Sequence, residues 1–273
     1  MLRLCFNKRP HTLSSRAESA KVGSGFPWTA KGVEAILSAM STGTSAKQAA
    51  GVAAAALVET GMRLGLGTGS TVAFFLEALA ERVRSDGLEV IGVPTSEDTA
   101  QRATALGIPI TTLEELPELD LVVDGADEVD AAFRLIKGGG GALLREKIVA
   151  ACGSRIVIIV GEGKRVEMLG TTFLLPVEIV PFGAKATQAK VEALGCQPYL
   201  RTLEDGETFV TDNGNWILDC KFAYGIEDPE QLHQQLSETP GVVEVGIFLD
   251  LCHHVIEGRS DGTAAHHEQP AGA

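Results

Sequence analysis

The sequence LDLVVDGADEVDAAFRLIKGGGGALLREKIVAA, residues 119–151, decides the fold. It opens with a short, mostly apolar run that predicts a buried strand. Acidic residues follow at once, beginning with Asp124, and the glycines at 138–141 then lead into a helix rich in apolar residues. Open α/β sheets bind their ligands at the carboxyl ends of the strands. The segment therefore predicts a strand, a ligand-binding loop and a helix in succession.

The same alternation of strand and helix continues on both sides of this segment. Strands are predicted at 62–66, 89–93, 119–123 and 155–160, and helices at 45–60, 70–83, 97–106 and 142–152. Such alternation is typical of a parallel sheet with helices on both faces. After residue 176 the pattern changes to helices at 185–194 and from 228, with strands at 208–211, 216–220 and 242–249. The predicted fold class is α/β: a Rossmann-like parallel sheet with helices on both faces, plus a smaller α+β domain.

The domain organisation follows from these patterns. Residues 1–44 are basic and rich in small polar residues, which predicts a disordered extension; a transit peptide is the alternative. We expect a Rossmann-like catalytic domain at 45–177, completed by 250–262, a small α+β domain at 178–249, and a disordered tail at 263–273. A cytoplasmic location is expected, with organelle targeting by residues 1–44 as the second interpretation.

Composition excludes several classes of function. The net charge of −13 over 273 residues argues against nucleic acid or anionic lipid as the main partner. No apolar run reaches the ~18 residues of a membrane span. The five cysteines are scattered and form no C-x-x-C pair, which argues against a thiolate metal cluster and fits a reducing compartment; they are Cys5, Cys152, Cys196, Cys220 and Cys252.

The acidic and glycine-rich motif contains candidate catalytic groups. Asp124 and Asp127 are expected at the end of the strand, facing a crevice, and Lys137 adds a cation beside glycines whose N–H groups can approach a ligand. Helix capping, turn formation or a Mg²⁺ site are the alternatives for this acidic cluster, which includes Glu128 and Asp130.

Glu146 is the candidate general base. It lies on the helix between Ala142 and Ala150, a strip of small residues on an otherwise apolar helix. A desolvated carboxylate there would have a raised pKa, as proton abstraction near neutral pH requires. The alternative is an ordinary charged helix face, since Arg145 and Lys147 flank the residue.

A second motif, GLGTGST at residues 65–71, joins the first strand to an amphipathic helix. Glycine loops in this position bind phosphate, and the hydroxyls of Thr68, Ser70 and Thr71 add donors. The motif lacks the lysine of a Walker A loop and the third glycine of a dinucleotide fingerprint. A single phosphate is therefore the expected ligand, with an ordinary tight turn as the alternative.

Together these motifs resemble those of the A type of ribose-5-phosphate isomerase. The resemblance covers residues 45–262 in five ordered segments: GLGTGST (65–71), VDGADEVD (123–130), IKGGGGALLREKI (136–148), LPVEIVP (175–181) and TDNGNWILD (211–219). It implies interconversion of ribose 5-phosphate and ribulose 5-phosphate without cofactor or metal, by a homodimer or homotetramer. Glu146 would be the proton-abstracting base. Residues that match sugar-binding or ring-opening groups are Asp124, Gly125, Ala126, Asp127, Lys137, Gly138, Gly139 and Gly140; those that match phosphate contacts are Thr68, Gly69, Ser70, Thr71, Lys164 and Lys47.

Two other functions remain open at this point. One is a sugar-phosphate-binding sensor domain, which would need a DNA-binding module that residues 1–44 do not suggest. The other is an acyl-CoA transferase-like enzyme with Glu146 as nucleophile. No chemistry is assigned to the histidines, because none lies near either motif.

Overall fold

A computed structural model describes residues 45–269. Its largest element is a six-stranded sheet in the order β13-β12-β6-β3-β1-β2, parallel throughout except for the antiparallel pair β12/β13. The strands are β1 (Arg63–Leu66), β2 (Ile91–Pro94), β3 (Leu121–Gly125), β6 (Ile156–Val160), β12 (His254–Gly258) and β13 (Ala264–Glu268). The helices beside them are α1 (Ala46–Ala55), α2 (Ser70–Ser85), α3 (Glu97–Ala105) and α4 (Leu143–Ala151).

Helices cover both faces of this sheet, as the alternating burial of β6 shows. Val157 and Ile159 belong to a core shared with α1 and α2, whereas Ile156, Ile158 and Val160 belong to a second core shared with α4. Successive side chains of a strand point to opposite faces, so a continuous apolar strand indicates a sheet buried on both sides. The predicted α/β class with helices on both faces is confirmed.

Local side-chain caps explain where several helices begin. The hydroxyl of Ser45 accepts a hydrogen bond from the N–H of Gln48 at the start of α1, and Ser96 accepts one from Thr99 at the start of α3. Such caps satisfy N–H groups that have no partner in the first turn of a helix. The start of α2 differs, because Gly69 at that position has φ of 114° and no side chain. This leaves the first turn of α2 open to a ligand.

The remaining strands form two smaller antiparallel sheets. A four-stranded sheet has the order β10-β7-β9-β8, and a three-stranded sheet has the order β11-β5-β4. Their elements are β4 (Glu128–Val129), β5 (Leu135–Ile136), β7 (Leu175–Ile179), α5 (Ala184–Glu192), β8 (Gln197–Leu200), β9 (Trp216–Lys221), α6 (Pro229–Ser237), β10 (Val242–Val245) and β11 (Ile247–Phe248). A third apolar core lies between the four-stranded sheet and α5 and α6. The smaller α+β region thus has a core of its own.

The structure corrects four sequence predictions. The predicted disordered tail at 263–273 is wrong over Ala264–Glu268, because this segment pairs along the whole of β12. The predicted domain boundary at residue 177 falls inside β7, which belongs entirely to the four-stranded sheet. The strand predicted at 208–211 makes only an isolated bridge from Thr208 to Thr202. The strand predicted at 242–249 is split at Gly246, so that its halves join different sheets. The predicted extension 1–44 lies outside the described residues.

Candidate active site

The ammonium group of Lys137 lies at the centre of the site, between two carboxylates. Its Nζ is 3.1 Å from Oδ2 of Asp124 and 3.2 Å from Oε1 of Glu146, and it donates a hydrogen bond of 2.5 Å to the carbonyl of Gly125. Only 3% of Lys137 is exposed. Burial acts to lower the pKa of Lys137, but Asp124 and Glu146 outweigh it and the net shift is upward. Lys137 therefore stays protonated at neutral pH.

Glu146 is a buried carboxylate with an unusually high pKa. Burial raises the pKa to about 8; the charge of Lys137 opposes this rise and that of Asp124 adds to it. Its second oxygen, Oε2, is buried and has no hydrogen-bond partner within residues 45–269. An unpartnered carboxylate oxygen at a cavity wall can accept a proton from a bound substrate.

Asp124 is the second-to-last residue of β3 and fixes the backbone around it. Its Oδ1 accepts hydrogen bonds from the N–H groups of Thr68, at 3.0 Å, and Gly125, at 2.7 Å. A Cβ at Gly67 would collide with the carboxylate of Asp124, so this close approach requires glycine. Asp124 is 1% exposed and does not line the cavity. The expectation that it faces a crevice is wrong, because the β1–α2 loop covers it.

Asp127 is the aspartate that does line the cavity. Its Oδ2 accepts a hydrogen bond of 2.8 Å from the N–H of Gly139. Burial raises the pKa of Asp127, although the Gly139 N–H and the charges of Lys137 and Lys164 act in the opposite direction. A carboxylate in this position can exchange protons with a ligand hydroxyl.

Hydroxyl, ammonium and N–H groups from α1, the start of α2 and the loop after β6 form another part of the site. Lys47 on α1 donates a hydrogen bond of 2.8 Å to the hydroxyl of Ser70, at the start of α2. Lys164 lies on the loop after β6, with its ammonium 5.5 Å from the ring centre of Phe173. Cations beside a helix N-terminus make a site suited to phosphate. The hydroxyl of Thr68 points elsewhere, since it contacts hydroxyls such as that of Thr95 at 2.7 Å.

These groups surround one cavity of about 190 Å³. The residues that line it are Lys47, Thr68, Gly69, Ser70, Thr71, Gly125, Ala126, Asp127, Lys137, Gly138, Gly139, Gly140, Glu146, Gly161, Glu162 and Lys164. The structure thus brings together every candidate residue except Asp124, which lies directly behind the wall. The roles given to these residues stay predictions.

The other acidic residues of the motif bind the protein itself. Glu128 is fully buried and accepts hydrogen bonds from the backbone N–H groups of Gly170, Thr172 and Phe173. Asp130 forms an ion pair with Arg134 at 2.6 Å. Within residues 45–269, no group of three or more His, Cys, Asp or Glu side chains is placed to hold a metal ion. That the reaction needs neither metal nor cofactor stays a prediction.

Comparison with known proteins identifies the family. The family model described as ribose 5-phosphate isomerase A (phosphoriboisomerase A) matches residues 91–262. The chain belongs to the ribose 5-phosphate isomerase A family.

Relatives and solved structures of this family match most of the chain. The ribose-5-phosphate isomerase A of Synechococcus sp. (strain JA-3-3Ab) is 51% identical over 82% of this chain and 97% of its own length. The protein of the same name from Parvibaculum lavamentivorans is 49% identical over 80% of this chain and 95% of its own. The structure of ribose 5-phosphate isomerase from Plasmodium falciparum is similar with a TM-score of 0.79 and 38% identity, over 82% of this chain and 98% of that chain. A structure of D-ribose-5-phosphate isomerase in complex with phospho-erythronic acid has a TM-score of 0.78 and 36% identity, over 82% of this chain and 97% of that chain.

Sequence reasoning missed several residues of this ribose 5-phosphate isomerase A family member that support the site. Arg201 donates to the carbonyls of Gly138 and Gly139, behind the cavity wall. Arg145 on α4 contacts Glu97 at 2.8 Å and the carbonyl of Asp212. Both arginines are distant in sequence from their partners, so no local pattern indicates them.

Proposed function

We propose that this chain interconverts D-ribose 5-phosphate and D-ribulose 5-phosphate, the aldose–ketose step of the non-oxidative pentose phosphate pathway. One observation carries the proposal: the buried carboxylate of Glu146, with an unpartnered oxygen and a pKa of about 8, lies at the wall of a cavity that is also lined by Lys47, Lys164 and the start of α2. Membership of the ribose 5-phosphate isomerase A family supports it.

Glu146 acts as the base. It removes the proton from C2 of the open-chain aldose and returns it to C1, through an enediolate intermediate. A base is most effective when its pKa lies near the working pH, and burial places Glu146 in that range. Its helix is fixed by apolar packing, since Leu143 and Val149 are buried in the core beneath the sheet. The carboxylate is thus held in one place while the proton moves.

Lys137 stabilises the charge that develops on the substrate oxygens. Its ammonium is already held between carboxylates, so little reorganisation is needed when the oxyanion forms. Asp124 keeps that ammonium in place and orients the β1–α2 loop through Thr68. Asp127, which lines the cavity, transfers hydroxyl protons during opening of the sugar ring.

The phosphate is bound by Lys47, Lys164 and the first turn of α2. These groups line the same cavity as Glu146 and fix the position of the sugar relative to it. Such positioning replaces a bimolecular encounter by a reaction within one complex, which lowers the entropic part of the barrier.

We also propose that the enzyme works as a homodimer or homotetramer in the cytoplasm. Phe182 and Tyr224 support an assembly, because 94% and 87% of these aromatic residues are exposed. Exposed aromatic side chains are typical of protein–protein contacts. None of the helices described is long and apolar enough to span a bilayer.

The test is the substitution Glu146→Gln, which keeps the shape and removes the base. We expect kcat with ribose 5-phosphate to fall ~10²–10⁴-fold, while phospho-erythronic acid still binds. Exchange of solvent tritium into C2 should fall in parallel. The matched control is Glu77→Gln, an exposed glutamate on α2, which should behave like the wild type.

Other outcomes would overturn the proposal. Near-normal tritium exchange in Glu146→Gln would show that another group is the base. A wild-type protein that binds the sugar phosphate without turnover would be a sensor. Thioester exchange with an acyl-CoA, lost in Glu146→Gln, would indicate an acyl-CoA transferase-like enzyme.

A further inference from the structure

The loop of four glycines has no side chains of its own to hold its shape. Gly138 has φ of 105° and Gly141 has φ of 84°, conformations that other residues rarely adopt. Glycine also has the largest conformational freedom of any residue in an unrestrained loop. A loop that must present N–H groups to a substrate therefore needs an external support.

Arg201, which follows β8, provides this support. Its Nη1 donates hydrogen bonds of 3.0 Å to both carbonyl oxygens of Gly138 and Gly139. Its Nε and Nη2 donate to the two carboxylate oxygens of Asp219 on β9, at 2.9 and 2.5 Å. The Arg201 and Asp219 side chains are only 13% and 19% exposed. The guanidinium therefore links the two parts: Nη1 binds the glycine loop, whereas Nε and Nη2 bind the four-stranded sheet.

An aromatic ring adds to this support. The guanidinium of Arg201 lies 5.6 Å from the ring centre of Phe209. The same ring packs against Gly141, where any Cβ would collide with it. Arg201 and Phe209 together therefore hold both ends of the glycine loop.

The carbonyls that Arg201 binds determine where the neighbouring N–H groups point. None of the peptide bonds of residues 45–269 is cis, and in a trans peptide the C=O and N–H groups point in opposite directions. With the Gly138 carbonyl on Arg201, the N–H of Gly139 points to the other side, where it donates to Asp127 at 2.8 Å. With the Gly139 carbonyl on Arg201, the N–H of Gly140 points the same way, and Gly140 lines the cavity.

We propose that Arg201 is a positioning residue for the isomerisation: by holding two carbonyls away from the cavity, it keeps the N–H of Gly140 aimed at the substrate oxygen and that of Gly139 aimed at Asp127. This rests on the proposed function. The N–H of Gly140 has no acceptor within residues 45–269, so it is available to a developing oxyanion. The charge of Arg201 also opposes the burial that raises the pKa of Asp127.

The test compares Arg201→Ala and Arg201→Lys with Arg63→Ala. Arg63 forms a similar two-point pair with Asp120, but it contacts no part of the glycine loop, which makes it the matched control. Loss of one oxyanion donor lowers kcat by ~10²-fold, and we expect this loss in Arg201→Ala with KM nearly unchanged. Arg201→Lys should have a kcat almost as low as that of Arg201→Ala, because one ammonium cannot bind Asp219 and both carbonyls together. Arg63→Ala should keep wild-type kcat.

Chemical rescue separates positioning from general stability. Arg201 also lines a second cavity of about 470 Å³, which adjoins Gly139. Guanidinium ion at millimolar concentration can therefore reach the space left in Arg201→Ala, and it should raise kcat several-fold, whereas urea, its neutral analogue, should not.

Two results would overturn the proposal: wild-type kcat in Arg201→Ala, or a loss of kcat that guanidinium does not reverse and that follows the fall in melting temperature. Absence of isomerase activity in the wild type would instead overturn the proposed function on which it rests.

Discussion

At the scale of single residues, the site depends on one ammonium shared by two carboxylates. Asp124 and Glu146 both contact Lys137, and all three side chains are almost fully buried. Burial lowers the pKa of Lys137, but the charges of Asp124 and Glu146 outweigh that effect and raise it. Lys137 therefore keeps its proton, and the group of this cluster that titrates near neutral pH is Glu146. The pH dependence of catalysis should therefore report on Glu146.

We expect kcat/KM to rise with pH and to level off above an apparent pKa of about 8, because the base must lose its proton before it can act. The variant Lys137→Met should shift the rising part of this pH profile to still higher pH, since the ammonium charge of Lys137 lowers the pKa of Glu146. Initial rates from pH 5 to 10 measure both effects.

A control variant and a contradicting result can both be named for this pH profile. Lys185→Met, an exposed lysine on α5, should leave the profile unchanged. If the apparent pKa is the same in Lys137→Met as in the wild type, or if the wild-type value is that of an ordinary glutamate, the coupling between Lys137 and Glu146 is contradicted.

The residue scale also shows what sequence reasoning could reach. Glu146 was predictable, because a carboxylate on an apolar helix just beyond a glycine run indicates a buried charge beside a ligand. The choice between Asp124 and Asp127 was not, because it depends on the backbone of the β1–α2 loop, whose Thr68 N–H binds Asp124. Sequence spacing cannot show which of two nearby acids a distant loop will cover.

At the scale of elements, the proposed phosphate site combines α1, the start of α2 and the loop after β6. Lys47→Ala and Lys164→Ala should each raise KM more than they lower kcat, because a charge-assisted contact of ~1.5–3 kcal/mol acts mainly on binding. This corresponds to ~10–10²-fold in KM. Steady-state kinetics with ribose 5-phosphate, with Lys185→Ala as control, measure it. An unchanged KM in either variant would remove that lysine from the phosphate site.

The strand β13 was not predictable, because its sequence is polar and alternates only weakly. It forms five register pairs with β12, and Ala264 packs against the core. Cross-strand pairs contribute ~0.2–1 kcal/mol each, so β13 contributes about 1–5 kcal/mol to the free energy of unfolding.

Deletion of residues 264–273 should therefore lower the melting temperature by several degrees. Deletion of 270–273 alone is the control, and we expect it to leave the melting temperature unchanged. Calorimetry on both variants decides the matter, and equal melting temperatures would mean that the β12–β13 pairing adds nothing to stability.

At the scale of the whole molecule, the site joins parts that are far apart in the chain. The parallel sheet supplies Asp124 and the start of α2, whereas Arg201 and Asp219 reach the glycine loop from the side of the four-stranded sheet. The predicted sheet class emerged from local periodicity. The contact between the two regions could not be predicted in this way, because Arg201 is more than 60 residues from the carbonyls it binds.

The last prediction concerns residues 1–44, which lie outside the described part of the chain. Two relatives of the same family are matched over 95–97% of their own length by only 80–82% of this chain, so these relatives are shorter than this chain. Deleting residues 1–44 should therefore leave kcat and the melting temperature nearly unchanged, since all of the sequence motifs that make up the candidate site begin after residue 44. Kinetics and calorimetry on the shortened chain, with the full chain as control, test this. A clear fall in melting temperature would show that the segment packs on the body of the protein, and a reporter fused to residues 1–44 would show whether it directs the chain to an organelle.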